Sequence, residues 1–259
     1  MLVPIWKPDS ERPFRISIGS IPFSLFIPQE VLLRQALTRY REFTADSDTG
    51  LPIFLRPGSG TEPESETFSY DLDGASLVLR RSAAEFRGVQ HEYALDSLLR
   101  ILLTVVLLPK RGFLLHAATV VRDGLAYVFA GRSGAGKSTV ASLSPAGSVL
   151  TDEISLLRFT DGRWQAHGTP FWGEFRARGR NQHYPLAGVY SLVQAPEDRV
   201  QSISKKEILR ALLPCVLFFT GEKRANEALL HTVLEMIEQV PFWRLHFRRD
   251  ARFWEAVTS

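Results

Sequence analysis

A chain of 259 residues with 45% hydrophobic and 23% charged content has ordinary globular composition, enough for one large core or for a core and a smaller partner. Its net charge of +3 is too small and too scattered to point to nucleic acid, and its one cysteine, Cys215, excludes an intramolecular disulfide and a thiolate zinc cage. The N-terminus lacks the basic-then-apolar pattern of a secretory signal. The longest apolar stretch, residues 101–108, falls far short of the roughly 20 residues a spanning helix needs, so the chain reads as cytoplasmic with no membrane partner.

Residues 1–90 read as an α+β module. Strand-like runs occur at Phe14–Ile18, Phe23–Ile27, Ile53–Arg56, Phe68–Asp71 and Ser76–Arg80, with one amphipathic helix near Gln29–Phe43. That helix is expected to bury Val31, Leu32, Ala36 and Leu37. The stretch from Pro57 to Glu66 is a polar Pro/Gly/Ser/Glu loop. No catalytic constellation lies here, and the module reads as either supporting or substrate-facing.

Tyr93–Leu108 follows as a strongly apolar helix, then Phe113–Val121 as a strand. Asp123-Gly124 is a two-residue turn signal, so this strand should run antiparallel to the next, Gly124–Ala130. A second Asp-Gly turn, Asp161-Gly162, joins Ile154–Phe159 to Arg163–His167 as another hairpin. The fold class is therefore α/β with a mixed sheet rather than a pure βαβ array. Helical patterns at Lys205–Leu213, Asn226–Val240 and Asp250–Val257 close the chain.

The residues that carry chemistry begin where the second strand ends. Gly131-Arg132-Ser133-Gly134-Ala135-Gly136-Lys137-Ser138, followed by Thr139, meets every fixed position of a P-loop, or Walker A, pattern. Its glycines let consecutive N–H groups face a phosphate chain. Lys137 would place an ammonium on the terminal phosphates, and the Ser138 hydroxyl would join a Mg²⁺ shell. The strand–loop–helix order is the context this pattern requires, and it predicts binding of a nucleoside triphosphate at residues 131–139.

Asp152 and Glu153 end a short apolar strand 15 residues beyond Lys137. A strand returning so soon can lie beside the P-loop strand and bring both carboxylates to the phosphate edge, one to accept a hydroxyl proton and one to hold Mg²⁺. His116 stands in an apolar strand, either as a core histidine or within reach of the site. Cys215, in an apolar run, reads as a buried structural thiol. Arg176, Arg178 and Arg180 alternate near Gly173 and Gly179, fitting equally a segment that closes over phosphates and a solvated edge strand.

Together these residues resemble the HPr kinase/phosphorylase family, particularly its shorter HPr kinase-like serine kinases. The markers are Leu115-His116-Ala117, Gly131-x-Ser133-Gly134-x-Gly136-Lys137-Ser138, Leu150-x-Asp152-Glu153, His167-Gly168-Thr169-Pro170 and Pro185-Leu186-x-Gly188-x-Tyr190-x-Leu192. The resemblance implies a core similar to the nucleotide-binding part of phosphoenolpyruvate carboxykinase, with residues 91–259 as a P-loop kinase domain. It implies a phosphotransferase that uses ATP and Mg²⁺ on a serine of a peptide or small protein. It assigns Asp152 as proton acceptor, Lys137 and His116 to the catalytic set, and Ser138 and Glu153 to the metal; a homo-oligomer is left open. The loop ends Lys137-Ser138-Thr139 where the bifunctional enzymes have Lys-Ser-Glu, and the segment tied to dephosphorylation has no clear counterpart, so a kinase without phosphorylase activity is expected. A small-molecule kinase and a nucleotide-gated regulator are the alternatives.

Overall fold

The computed structural model describes residues 12–46, 49–56, 68–72, 75–79, 84–87, 92–173, 179–219 and 222–258. They fall into two compact units, Met1–Leu102 and Leu103–Ser259.

In the first unit the described strands are β1 (Phe14–Ile18), β2 (Ile21–Phe26), β3 (Leu51–Arg56), β4 (Phe68–Leu72), β5 (Ala75–Leu79) and β6 (Ala84–Arg87), in the sheet order β1-β2-β3-β6-β5-β4. Gly19 and Ser20, both at positive φ, turn β1 directly into β2, as the right-handed twist of a hairpin requires. Helix α1 (Glu30–Arg39) buries Leu32 and Ala36 and continues into the buried Tyr40 and Phe43, whereas Val31 and Leu37 are exposed. One turn of helix separates 32, 36 and 40, and the neighbours 31 and 37 are rotated off that stripe. A buried carboxylate, Asp96, accepts hydrogen bonds from Arg39 Nε at 2.8 Å and from Tyr40 Oη at 2.5 Å, which also pushes the Tyr40 hydroxyl pKa up after burial itself. The Pro57–Glu66 loop lies outside the described residues.

Helix α2 (Glu92–Val106) contains the boundary between the units and is nearly buried along Leu95, Leu98, Leu99, Leu102 and Leu103. The second unit is built on a mixed sheet of β7 (Gly112–Arg122), β8 (Leu125–Ala130), β9 (Val149–Thr151), β10 (Ile154–Thr160), β11 (Arg163–His167), β12 (His183–Gln194), β13 (Arg199–Ser202) and β14 (Phe242–Phe247). Helices α3 (Lys137–Leu143), α4 (Lys205–Leu212), α5 (Lys223–Gln239) and α6 (Phe253–Thr258) pack on it.

The strand order is β11-β10-β7-β8-β12-β14-β13, with β9 beside β7. Both expected hairpins form, their aspartate-glycine pairs at positive φ: Asp123 and Gly124 join β7 to β8, and Asp161 and Gly162 join β10 to β11. The start of β12 pairs with β11 while its middle pairs with β8, so five strands run as a closed ring. Strands β8, β12 and β14 are parallel.

Alternation along β8 explains the two cores. Ala126, Val128 and Ala130 face a cluster with Phe113, Trp164, Leu212, Val233 and Met236 under α4 and α5. Phe129 faces the other way, into Val140, Tyr190, Leu245, Phe247, Phe253 and Trp254 under α3 and α6. The second cluster matters for the site, because it forms the floor beneath the glycine-rich loop. Among the described residues no helix is long and apolar enough to cross a membrane.

Candidate active site

Parallel strands point their C-terminal ends the same way, and the loops that leave them meet at one rim. At the end of β8 the chain enters Gly131–Gly136. Gly134 and Gly136 adopt φ of 78° and 110°, which a side chain strongly disfavours. Space is a second constraint at Gly136: a Cβ there would lie 2.5 Å from Cζ of the buried Phe247 ring. Glycine thus lets the loop lie down on the last residue of β14.

The loop leads into α3, whose first residue is Lys137. Its side chain is buried, and Nζ donates to the carbonyls of Gly131 at 2.8 Å and Arg132 at 3.2 Å. Burial holds the Lys137 pKa below the ordinary ammonium value, while the neighbouring Cys215 sulfur and the Glu153 carboxylate act in the opposite direction. Cys215 is buried behind the loop, its thiol pushed up by burial and drawn back by Lys137 and the Gly131 N–H. Helix α3 has only seven residues, so its dipole is short and the ammonium and loop amides must carry most of the attraction for an anion.

Across the rim, β9 and β10 are separated only by Asp152 and Glu153. The Thr151 and Thr169 hydroxyls donate to the Ile154 carbonyl, at 3.0 Å and 2.5 Å, and the Ala117 N–H donates to the Glu153 carbonyl at 2.9 Å. These bonds hold the tight turn in one shape. Asp152 is 3% exposed, and both of its carboxylate oxygens accept from the Gly173 N–H at 3.2 Å. Gly173 approaches closely enough that a Cβ would sit 3.1 Å from Glu153 Oε2. His116, opposite Ile154 in the β7–β10 pair, is half-buried and faces the same space.

The result is one cleft of about 530 Å³. Of the residues singled out in the sequence, it gathers His116, Ser133, Gly134, Gly136, Lys137, Ser138, Thr139, Asp152 and Glu153. Gly131, Arg132 and Ala135 belong to the loop without lining the cleft. Arg176 and Arg178 lie outside the described residues; Arg180 is half-buried, with a buried Nε that has no hydrogen-bond partner among the described residues. Phe171 is fully buried, as its apolar character predicts.

Three cleft residues were not singled out as site residues in the sequence: Gly173, Gln194 and Arg249. Gln194 ends β12 and donates from Nε2 to the Gly134 carbonyl at 2.8 Å, which props the loop from the side. Arg249 lies just beyond β14, a strand the sequence patterns did not reveal. No spacing rule connects these residues with the P-loop pattern, because strand order alone brings them to the rim.

Chemically, the cleft offers an ammonium, backbone amides, a hydroxyl, a buried carboxylate and a second carboxylate within one space. Such a set suits a polyanion, a divalent cation and an acceptor that must lose a proton.

No curated protein matches this chain. Among solved structures, the chain is similar to the Hpr(Ser) kinase/phosphatase from Coxiella burnetii, with 18% identity over 48% of this chain and 89% of that one and a TM-score of 0.26. The family model described as "SynChlorMet cassette protein ScmC" matches residues 89–259, which hold the whole cleft. By that match the chain belongs to the ScmC family.

Proposed function

We propose that this protein is an ATP-dependent serine kinase that transfers the γ-phosphoryl group of Mg-ATP to a serine hydroxyl on a peptide or small protein. The observation that carries the reading is the meeting of Lys137 and Ser138 with Asp152, Glu153 and His116 in one cleft at the ends of parallel strands. The Walker A pattern of residues 131–138 and the likeness of the surrounding motifs to HPr kinase-like serine kinases support the same reading.

The donor set fits a nucleotide and its metal. Lys137 Nζ rests on two carbonyls of the loop, beside a carboxylate that favours its charge, so a phosphate oxygen can replace those carbonyls without desolvating a new cation. Ser138 and Glu153 would hold Mg²⁺, which supplies charge neutralisation across the donor phosphates. Lys137 and the loop amides orient the donor. Asp152, fixed through Gly173, accepts the serine proton as its oxygen attacks phosphorus. The phosphorus–oxygen bond to the leaving diphosphate then breaks, and ADP departs. His116, on the strand beside Asp152 and Glu153, contributes to the polar wall around the acceptor.

The family description names a cassette protein, so peptides encoded beside the gene are the first acceptors to test. The assay follows labelled γ-phosphate from Mg-ATP onto serine peptides. Asp152→Asn should lower transfer by about 10²- to 10⁴-fold, the range for loss of a general base, while nucleotide still binds. Nucleotide binding without transfer to any peptide would move the reading to a small-molecule acceptor or a nucleotide-gated regulator.

A further inference from the structure

The two walls of the cleft differ in charge. Both cleft carboxylates, Asp152 and Glu153, belong to the turn after β9, on the β7 side of the loop. The opposite wall is made by the ends of β12 and β14. Their registers place Ser191 beside Ala130 and Gln194 beside Phe247, so three parallel strands release their chains at neighbouring points. Gly136 rests on the Phe247 ring, and Arg249 follows two residues later, lining the same cleft as Ser133, Gly134 and Gln194.

Three arginines occupy that short connection, and two of them are engaged. Arg248 forks onto Asp198 at 3.1 and 3.0 Å, and Arg252 donates to Asp250 at 2.8 and 2.5 Å. Arg249 makes no hydrogen bond or ion pair among the described residues, is exposed, and lines the cleft. Gln194, its neighbour on that wall, already spends its amide on the Gly134 carbonyl. The guanidinium is therefore the donor this wall presents to a ligand. A planar fork of N–H groups matches phosphate oxygens in pairs.

We propose that Arg249 is a nucleotide-binding residue whose guanidinium holds the diphosphate portion common to ADP and ATP, from the wall opposite the carboxylates. The inference rests on the nucleotide reading above. It follows from where the reaction must occur: the transferred group has to sit beside the proton acceptor Asp152, so the far wall receives the part of the nucleotide that stays behind. A group bound equally before and after transfer adds affinity for substrate and product alike.

The test is calorimetric titration of the full chain with Mg-ADP and with a Mg-bound ATP analogue that cannot be cleaved between its β- and γ-phosphates. Losing charged hydrogen bonds to phosphate should weaken both by about 10- to 100-fold in Arg249→Ala, and by similar factors. Arg249→Lys keeps the charge without the fork and should recover part of the loss, which also separates a lost contact from a misfolded variant. Unchanged affinities in Arg249→Ala overturn the assignment. Weakening confined to the ATP analogue overturns it too, by moving the contact to the terminal phosphate. A parent protein that binds neither nucleotide removes the reading of the whole cleft, whereas tight parent binding with an unaffected Arg249→Ala removes only the role of Arg249.

Discussion

The acidic turn and the glycine-rich loop, which meet at the cleft, are held in different ways. The turn carrying Asp152 and Glu153 is anchored by Thr151 of β9, by Ala117 of β7, and by Thr169 and Gly173 of the connection that leaves β11. The glycine-rich loop is tied chiefly at its carbonyls, Gly131 and Arg132 accepting from Lys137 and Gly134 from Gln194, and it also depends on shape: glycines at positive φ and an aromatic floor at Phe247. A proton acceptor needs a fixed position, and hydrogen bonds supply it. A phosphate cradle needs N–H groups turned to the ligand, so its loop is held at its carbonyls and by packing.

The largest way to break that comparison is Asp152→Asn, which should lower transfer by about 10²- to 10⁴-fold while the cradle, built without it, still binds ADP. The reverse experiment is Gly136→Ala. A Cβ at φ of 110° is strained, and here it also meets a ring that the second core prevents from moving. Together these should cost about 2–5 kcal/mol of folding stability or force the loop out of shape, with nucleotide affinity lost in either case. Gly134→Ala, where a Cβ would meet nothing within 4 Å, should carry only the strain of its φ, about 1–2 kcal/mol. Chemical denaturation and ADP titration of the two variants separate packing from backbone strain, and equal losses would show that the Phe247 floor plays no part.

A third test concerns the scaffold behind the carboxylates. His167 is 4% exposed, its Nε2 has no hydrogen-bond partner among the described residues, and its ring lies 5.0 Å from that of His183. Burial first, then His183 and Arg158, push its pKa down to about 3. The folded value lies below the unfolded value of about 6.5, so the unfolded chain binds more protons in between. The stabilising effect of a neutral His167 is thus complete above pH 6.5 and lost progressively as the pH falls towards 3. Between pH 6.5 and 5 the parent should lose about 2 kcal/mol from this residue, and His167→Phe should lack that component of the acid limb. Denaturation curves at the two pH values decide it, and parallel losses in parent and variant would reject the assignment.

The smallest effect sharpens the role of the lateral prop. Gln194→Ala removes one neutral hydrogen bond from an exposed position, so ADP affinity should fall only about threefold, with unfolding midpoints almost unchanged. A loss as large as that of Gly136→Ala would mean that the loop is held mainly by hydrogen bonding after all.

Much of this architecture was legible because it is local. The hairpins at Asp123-Gly124 and Asp161-Gly162 are specified by residues that tolerate positive φ, and both form. The segments that became β1, β3 and β7 alternate or run apolar over strand lengths, which period alone reveals. The helix at α1 was recognisable, but its buried face was misplaced by one residue on either side, because Val31 and Leu37 are apolar without being core. Apolar residues also occur on surfaces, and only packing tells them apart.

The amino-acid sequence by itself determined that a glycine-rich loop stands between a strand and a helix, and that two carboxylates end a strand soon after. Those features depend on φ preferences and on residues a few positions apart. Tertiary structure alone decided that His116, Asp152 and Glu153 face Lys137 and Ser138 across one cleft. It also decided that Gly173 positions Asp152, and that Gln194 and Arg249 complete the opposite wall. The physical reason is the parallel pairing of β8, β12 and β14: hydrogen bonds between strands far apart in the chain set which loop ends become neighbours, and no local pattern encodes that choice.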